Sequence, residues 1–150
     1  MTLDQIVPVL QLSIGPVILI SGAGLVLLSV TNRYGRVIDR SRSLAEALRS
    51  VSAGETERFR SQILILIRRA RLLRMAIAFI SASLLLAAVL IIALFLVALL
   101  NLHAVYLIII LFTACMISLI LGLVVFIVDV NVSLSALKLE VDVKRDSSPS

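Results

Sequence analysis

The chain has 150 residues, 61% of them hydrophobic and 15% charged, and a mean hydropathy of +1.15. A soluble domain contains roughly 45–50% apolar residues, so this composition excludes an ordinary water-soluble globule. The net charge is +5, but eleven of the fourteen Lys and Arg residues lie between Arg33 and Arg74, beside long apolar runs; this is typical of a membrane protein and not of a nucleic-acid-binding domain.

The first predicted element is a membrane-spanning helix over residues 7–31. No charged residue lies between Gln5 and Asn32, and about 20 apolar residues suffice to cross a bilayer core. One line along this helix carries small or polar residues, namely Gln11, Gly15, Gly22, Ser29 and Asn32. Small residues let helices approach closely in lipid, so the line is interpreted as a packing face. The alternative is a face that lines a pore or substrate path.

Residues 33–74 are predicted to form a cytoplasmic helical hairpin, because apolar residues recur there at alternating steps of three and four. The recurring positions are Tyr34, Val37, Ser41, Leu44, Leu48 and Val51 in the first half, and Ile63, Leu66, Ala70 and Leu73 in the second. Residues 52–56 are predicted to be the turn. The second helix is expected to begin at Glu57, with Thr56 as its N-cap. It is expected to continue unbroken into the second span, residues 75–100.

Six arginines near the membrane ends of this hairpin are candidate contacts for anions or lipid head groups. They are Arg33, Arg36, Arg68, Arg69, Arg71 and Arg74, and the last four are expected to lie off the apolar face. Guanidinium groups that reach the same depth repel one another unless negative charge intervenes. Candidate ion-pair partners are Asp39 and Asp129, and anionic phospholipids are a third source. The arginines are interpreted as topological anchors that contact lipid; the alternatives are an anion-attracting vestibule and a docking site for an acidic protein.

A short polar break at 101–103 precedes the third predicted span, residues 105–128, and implies a tight antiparallel connection. Ala114, Ser118 and Gly122 recur every four residues in this span. That small-residue pattern predicts a helix–helix contact, either within the chain or with another subunit.

The C-terminal segment is ambiguous. Apolar residues alternate through 130–144, which fits a helix that extends the third span, or a strand over 138–143. The last residues, 144–150, are polar and are predicted to form a flexible tail.

The sequence contains no motif that is typical of catalysis or of cofactor or metal binding. Neither a phosphate-binding loop, nor a nucleophile motif, nor a metal-spaced cluster occurs in the sequence. His103 has no second ligand nearby and is interpreted as a turn residue, and Cys115 as a packing residue. We therefore predict no enzyme activity, no cofactor and no metal site.

The distribution of Lys and Arg predicts the orientation. Segment 33–74 carries eleven and the C-terminal segment three, whereas the N-terminal stub and residues 101–104 carry none. Cytoplasmic loops are enriched in these residues. Three spans place both basic segments on one side, so the N-terminus is predicted outside and the C-terminus in the cytoplasm. The expected fold is a single all-α membrane domain with three transmembrane helices.

The exit of the first span carries a family resemblance. Residues 31–40 read Thr-Asn-Arg-Tyr-Gly-Arg-Val-Ile-Asp-Arg, preceded by Gly-Pro-Val-Ile-Leu-Ile-Ser-Gly-Ala-Gly at 15–24, and Arg-Arg-Ala-Arg stands at 68–71. Over residues 14–130 the chain resembles a family of small bacterial three-span membrane proteins catalogued as a domain of unknown function. The resemblance implies a topology in the bacterial inner membrane and no activity for any residue.

These features lead to two functional hypotheses. The first is an oligomeric scaffold or interaction protein that uses its basic cytoplasmic hairpin, because the apolar run at 63–67 needs a cover beyond its hairpin partner. The alternative is a homo-oligomeric ion channel with a path lined by the first span and an arginine collar at its cytoplasmic mouth. The expected partners are the lipid bilayer with its anionic phospholipids, further copies of the chain and a cytoplasmic protein, with no nucleic acid.

Overall fold

The computed structural model describes residues 3–48, 56–100 and 104–146, and over those residues the chain forms three α-helices. They are α1 (Leu3–Leu48), α2 (Thr56–Leu100) and α3 (Val105–Asp146). At about 1.5 Å per residue, each helix is roughly twice as long as the ~30 Å core of a bilayer is thick. All three are long and apolar enough to cross a membrane, which confirms the predicted all-α class and the presence of three helices that could span a bilayer.

The helices run well beyond the predicted spans. α1 continues unbroken past the end of the first apolar run, with Pro8 and Pro16 inside it. α2 begins at Thr56, one residue before the expected start, and is continuous to Leu100, which confirms the single long helix. The predicted turn at 52–56 falls, except for Thr56, outside the described residues, as does the break at 101–103.

The C-terminal segment is helical. α3 continues through the alternating apolar residues to Asp146, so the strand considered for 138–143 is wrong. The first three residues of the predicted flexible tail, 144–146, also belong to this helix, and the rest of that tail lies outside the described part of the chain.

The chain divides into two compact units, which we call unit 1 (Met1–Ser29 and Ile77–Leu123) and unit 2 (Val30–Ala76 and Val124–Ser150). The division coincides with a division of charge. All fourteen Lys and Arg residues lie in unit 2, whereas unit 1 contains one charged residue, Asp4. Contacts within the chain and the pattern of charge therefore separate the same two parts of the sequence.

The buried residues recur with a heptad period along each helix. They are Ser13, Pro16, Ala23, Val30 and Val37 in α1; Leu66, Leu73, Ala76, Ile80, Ser83, Ala87, Leu90 and Leu94 in α2; and Cys115, Gly122 and Asp129 in α3. Steps of three, four and seven keep one narrow face of a helix toward its neighbours. Within the most apolar 18-residue stretch of each helix, the chain itself buries only 11%, 22% and 11% of the residues. The remaining apolar surface faces outward, as expected where lipid is the solvent.

Candidate functional site

A buried carboxylate in unit 2 is the most unusual polar group in the described part of the chain. Asp129 is 0% exposed. It is the first charged residue after the apolar run of α3 and follows the buried Gly122 by seven residues, so the heptad period carries it to the inner face of the helix. An ionised carboxylate in such a place is strongly destabilising unless cations or hydrogen-bond donors compensate it.

Two arginines from different helices supply that compensation. The Nε of Arg69 in α2 donates a hydrogen bond to Asp129 Oδ1 over 3.4 Å. The Nη1 of Arg33 in α1 lies 3.8 Å from Asp129 Oδ2, and its guanidinium sits over the ring of Phe126, 5.4 Å from the centroid. We call these four residues the Asp129 cluster. It joins all three helices within unit 2, since each contributes at least one member.

Two buried polar atoms of the Asp129 cluster make no hydrogen bond. Arg33 Nη1 and Asp129 Oδ2 are both buried without a hydrogen-bond partner, because the 3.8 Å between them is too long for a hydrogen bond, which is lost by about 3.6 Å. The two side chains differ in access to water, with Arg33 34% and Arg69 20% exposed. The closer and more buried Arg69 therefore provides the stronger compensation for the carboxylate.

Sequence reasoning found Asp129 and Arg33 but misplaced Arg69. The predicted apolar face of the hairpin used Ala70, and Arg69 was expected to lie off that face. In the structure the buried positions of α2 run 66, 73, 76, 80, 83, 87, 90 and 94, and Arg69 fills the one gap in their alternation of three and four. The three-and-four spacing of apolar residues in the second predicted span, extended toward the N-terminus, predicts Arg69 at a buried position, whereas the spacing within 63–73 alone does not.

A polar pocket that is partly open to solvent, which we call the cavity, adjoins the cluster in unit 2. It has a volume of about 270 Å³ and is lined by Arg33, Arg36, Val37, Arg40, Leu66, Arg69 and Ser133. Arg33, Arg36 and Arg40 are spaced three and four residues apart and so share one face of α1. No described acid lies within ion-pair distance of Arg36 or Arg40, so the cavity wall carries an excess of positive charge.

The other candidate residues in the basic segment lie elsewhere. Arg68, Arg71 and Arg74 are exposed and line neither the cavity nor the Asp129 cluster. Asp39, the second proposed ion-pair partner, is exposed as well, and its backbone carbonyl accepts a hydrogen bond from Ser43 Oγ at 3.1 Å. Of the two proposed acids, the structure brings Asp129 to arginines.

The small and polar line of α1 faces away from the rest of the chain. Gln11, Gly15, Gly22, Ser29 and Asn32 are all exposed. A Cβ added at Gly15 or Gly22 would meet nothing within 4 Å. None of the described residues covers this line, so a packing role requires a partner beyond the described part of the chain.

The small residues of α3 contact α2 within unit 1. Ser118 Oγ donates a hydrogen bond to the Phe79 carbonyl over 2.8 Å. A Cβ on Gly122 would lie 2.7 Å from Ile80 Cγ1 and 3.2 Å from the Ile80 backbone nitrogen. Ala114 is half-buried.

Cys115, between these residues, is 0% exposed, and its thiol donates to the Ser83 carbonyl over 3.2 Å. Sequence reasoning did not single out Ser83, although it occupies a regular position in the buried alternation of α2.

Within the described residues, no group of three or more His, Cys, Asp and Glu side chains is arranged to hold a metal ion. Comparison with known protein families gives a match over residues 13–139 to the family described as "Protein of unknown function (DUF2721)". No curated protein and no solved structure matches the chain.

Proposed function

The chain belongs to the DUF2721 family, and we propose that it is a homo-oligomeric scaffold protein of the bacterial inner membrane. In this proposal unit 1 spans the bilayer and unit 2 is a cytoplasmic helical hairpin, extended by the end of α3, that binds a protein partner. The observation that carries the proposal is an exposed apolar surface in the basic part of α2, formed by Leu64, Ile65 and Ile67.

The orientation is supported by the division of charge. The helical segments of unit 1 (3–29, 77–100 and 105–123) have 27, 24 and 19 residues, close to the ~20 that cross a bilayer core. Unit 2 contains every Lys and Arg of the sequence. The positive-inside rule then assigns unit 2 to the cytoplasm and the N-terminus to the periplasm.

The exposed apolar surface needs a cover if it lies in water. Leu64, Ile65 and Ile67 are 61%, 44% and 48% exposed. Full burial of such a side chain contributes about 1.5–3 kcal/mol, so covering the three exposed fractions would contribute about 2–5 kcal/mol to binding. The neighbouring Arg68 and Arg71 are exposed too. A partner segment that is both apolar and acidic fits this surface best.

Oligomerisation is supported by the exposed line on α1. Amides and hydroxyls such as those of Gln11 and Ser29 are costly against lipid, and Gly15 and Gly22 offer open space for a close neighbour. Another copy of α1 would cover both kinds of residue with the close backbone contact that small residues permit.

Site-specific crosslinking tests the scaffold. A photo-crosslinking amino acid at Leu64 is expected to give one discrete adduct in intact cells, whereas the same group at Ala45, an exposed position of α1, gives none. The adduct is expected to vanish when Ile67→Gln is added, because that change removes part of the apolar surface. A Leu64 probe that yields only the uncrosslinked chain contradicts the scaffold.

Disulfide crosslinking tests the oligomer separately. Ser29→Cys lies on the exposed α1 line, and Ser81→Cys is an equally conservative change at an exposed position of α2. Oxidation in membranes is expected to give disulfide-linked dimers from the first variant and few from the second. Equal yields would show random collision and refute a contact through α1.

An oligomeric ion channel is the second candidate, favoured by the same exposed line on α1. With more than two copies around an axis, Gln11, Ser29 and Asn32 would line a path. Channel activity requires ion flux from liposomes that contain the purified oligomer, and a changed flux for Gln11→Leu. A dimer, or liposomes without flux, excludes the channel and leaves the scaffold standing.

A further inference from the structure

We propose that the cavity in unit 2 is a binding site for one phosphate-bearing anion. It is lined by four arginines, Arg33, Arg36, Arg40 and Arg69, and by Ser133, and two of these arginines, Arg36 and Arg40, are exposed to solvent. Guanidinium groups bind phosphate oxygens in bidentate fashion through charge-assisted hydrogen bonds. The inference does not depend on the scaffold role, since the proposed partner surface on α2 is formed by other residues.

The charge balance around the cavity favours an anion. Asp129 is bonded to Arg69 and lies beside Arg33, so one carboxylate faces two of the four guanidinium groups. Arg36 and Arg40 have no described acid within ion-pair distance. An anion in the cavity would relieve the repulsion among these like charges.

The size and the remaining wall define the class of anion further. A volume of about 270 Å³ is just below the ~300–1,000 Å³ typical of sites for drug-sized ligands, so it suits a phosphate or a lipid head group better than a nucleotide. Val37 and Leu66 add two apolar side chains to the wall, as would suit the glycerol end of a phospholipid. Arg33 follows directly on the uncharged run of α1, where head groups would lie.

The anion has two possible sources, an anionic phospholipid and free phosphate, and one experiment distinguishes them. The full-length protein, purified in an uncharged detergent and freed of lipid, is titrated in a calorimeter with short-chain phosphatidylglycerol, short-chain phosphatidylcholine and inorganic phosphate. The site variant is Arg36→Gln with Arg40→Gln. Its control is Arg68→Gln with Arg71→Gln, which removes the same charge from exposed positions outside the cavity.

One result supports the proposal with a lipid as the source of the anion. Phosphatidylglycerol binds saturably at one molecule per chain, and its affinity falls at least tenfold in the site variant and less than threefold in the control. The same pattern with inorganic phosphate supports it with a free anion as the source. Tenfold corresponds to the loss of one charge-assisted hydrogen bond, at about 1.4 kcal/mol per factor of ten.

Absence of saturation with every probe overturns the proposal, as does an equal loss in both variants, which would reflect total charge only. A cysteine at the fully buried Val30 of unit 2, in a Cys115→Ser background, serves as the folding control: its protection from alkylation confirms that unit 2 of each variant is folded, so a loss of binding is not mistaken for unfolding.

Discussion

Replacing Arg69 by methionine tests the role of the Asp129 cluster most sharply. Methionine keeps an unbranched apolar stem but lacks the guanidinium group, so Asp129 retains one cation, the Arg33 nitrogen at 3.8 Å that makes no hydrogen bond. With an effective dielectric constant of about 20, an ion pair at 3.4–3.8 Å contributes about 4–5 kcal/mol before the cost of desolvation. Removing one partner of a buried pair costs about 3–5 kcal/mol in practice, and we expect Arg69→Met to lie in that range.

Replacing Asp129 should lower the free energy of unfolding less than replacing Arg69 does. Asp129→Asn leaves two arginines that are 20% and 34% exposed and can be hydrated, so we expect about 1–2 kcal/mol, the loss of one charged hydrogen bond. The double variant Arg69→Met with Asp129→Asn is expected to be more stable than Arg69→Met alone, because it no longer buries an uncompensated carboxylate. This rescue distinguishes an ion pair from simple packing.

The assay uses a buried cysteine in each unit. Cys115 is 0% exposed and reacts with a maleimide dye once unit 1 opens. Val30→Cys in a Cys115→Ser background, at a position of unit 2 that is also 0% exposed, reacts once unit 2 opens, so its midpoint of labelling against temperature or denaturing detergent reports the stability of the Asp129 cluster. Arg68→Met, an exposed neighbour on the same helix, is the control and should change stability by less than about 0.5 kcal/mol. Equal effects of Arg68→Met and Arg69→Met, or no rescue by Asp129→Asn, would refute the reasoning.

Three further predictions concern unit 1. Gly122→Ala should destabilise the fold by about 1–3 kcal/mol, since its Cβ would meet Ile80 at 2.7 Å. Gly24→Ala, whose Cβ would meet nothing within 4 Å, should be neutral or stabilising by up to about 1 kcal/mol. The labelling midpoint of Cys115 measures both, and a destabilised Gly24→Ala would contradict the reasoning. Ser118→Ala should cost about 0.6 kcal/mol, a typical interhelical hydrogen bond in lipid, in the same assay; no measurable loss contradicts the bond. Cys115 should resist a small permeant maleimide in native membranes, and rapid labelling there would contradict its burial.

Much of the fold follows from the sequence because the determining pattern is coarse. Long uncharged runs specify spans, and the absence of a breaker between Glu57 and Leu100 specifies one helix. The strand considered for 138–143 fails because two-residue and three-to-four-residue periodicities overlap in a short apolar segment. The heptad of buried positions Cys115, Gly122 and Asp129 continues to the apolar Ala136 and Val143. That continuation fits a helix and can be predicted from the sequence once one buried position is known.

The site was less accessible to sequence reasoning because it depends on helix rotation. Asp129 and Arg33 stand out as the first charges beyond apolar runs. Which of Arg68, Arg69 and Arg71 turns inward depends on a difference of one residue, about 100° around the helix. The weak periodicity of apolar residues at 63–73 predicts Ala70 on the buried face of the helix, whereas the stronger periodicity of the second predicted span places Arg69 there. The rotation of α2 about its axis therefore determines that Arg69, and not Arg68 or Arg71, pairs with Asp129.

The proposed function requires unit 2, with all the Lys and Arg residues, to lie in the cytoplasm. Cysteines introduced at Ala45, exposed in unit 2, and at Tyr106, 83% exposed in unit 1, test it with a membrane-impermeant maleimide on intact spheroplasts. With unit 2 in the cytoplasm, Tyr106→Cys is labelled without permeabilisation and Ala45→Cys only after it. Labelling of Ala45→Cys from outside, with Tyr106→Cys protected, would contradict that placement.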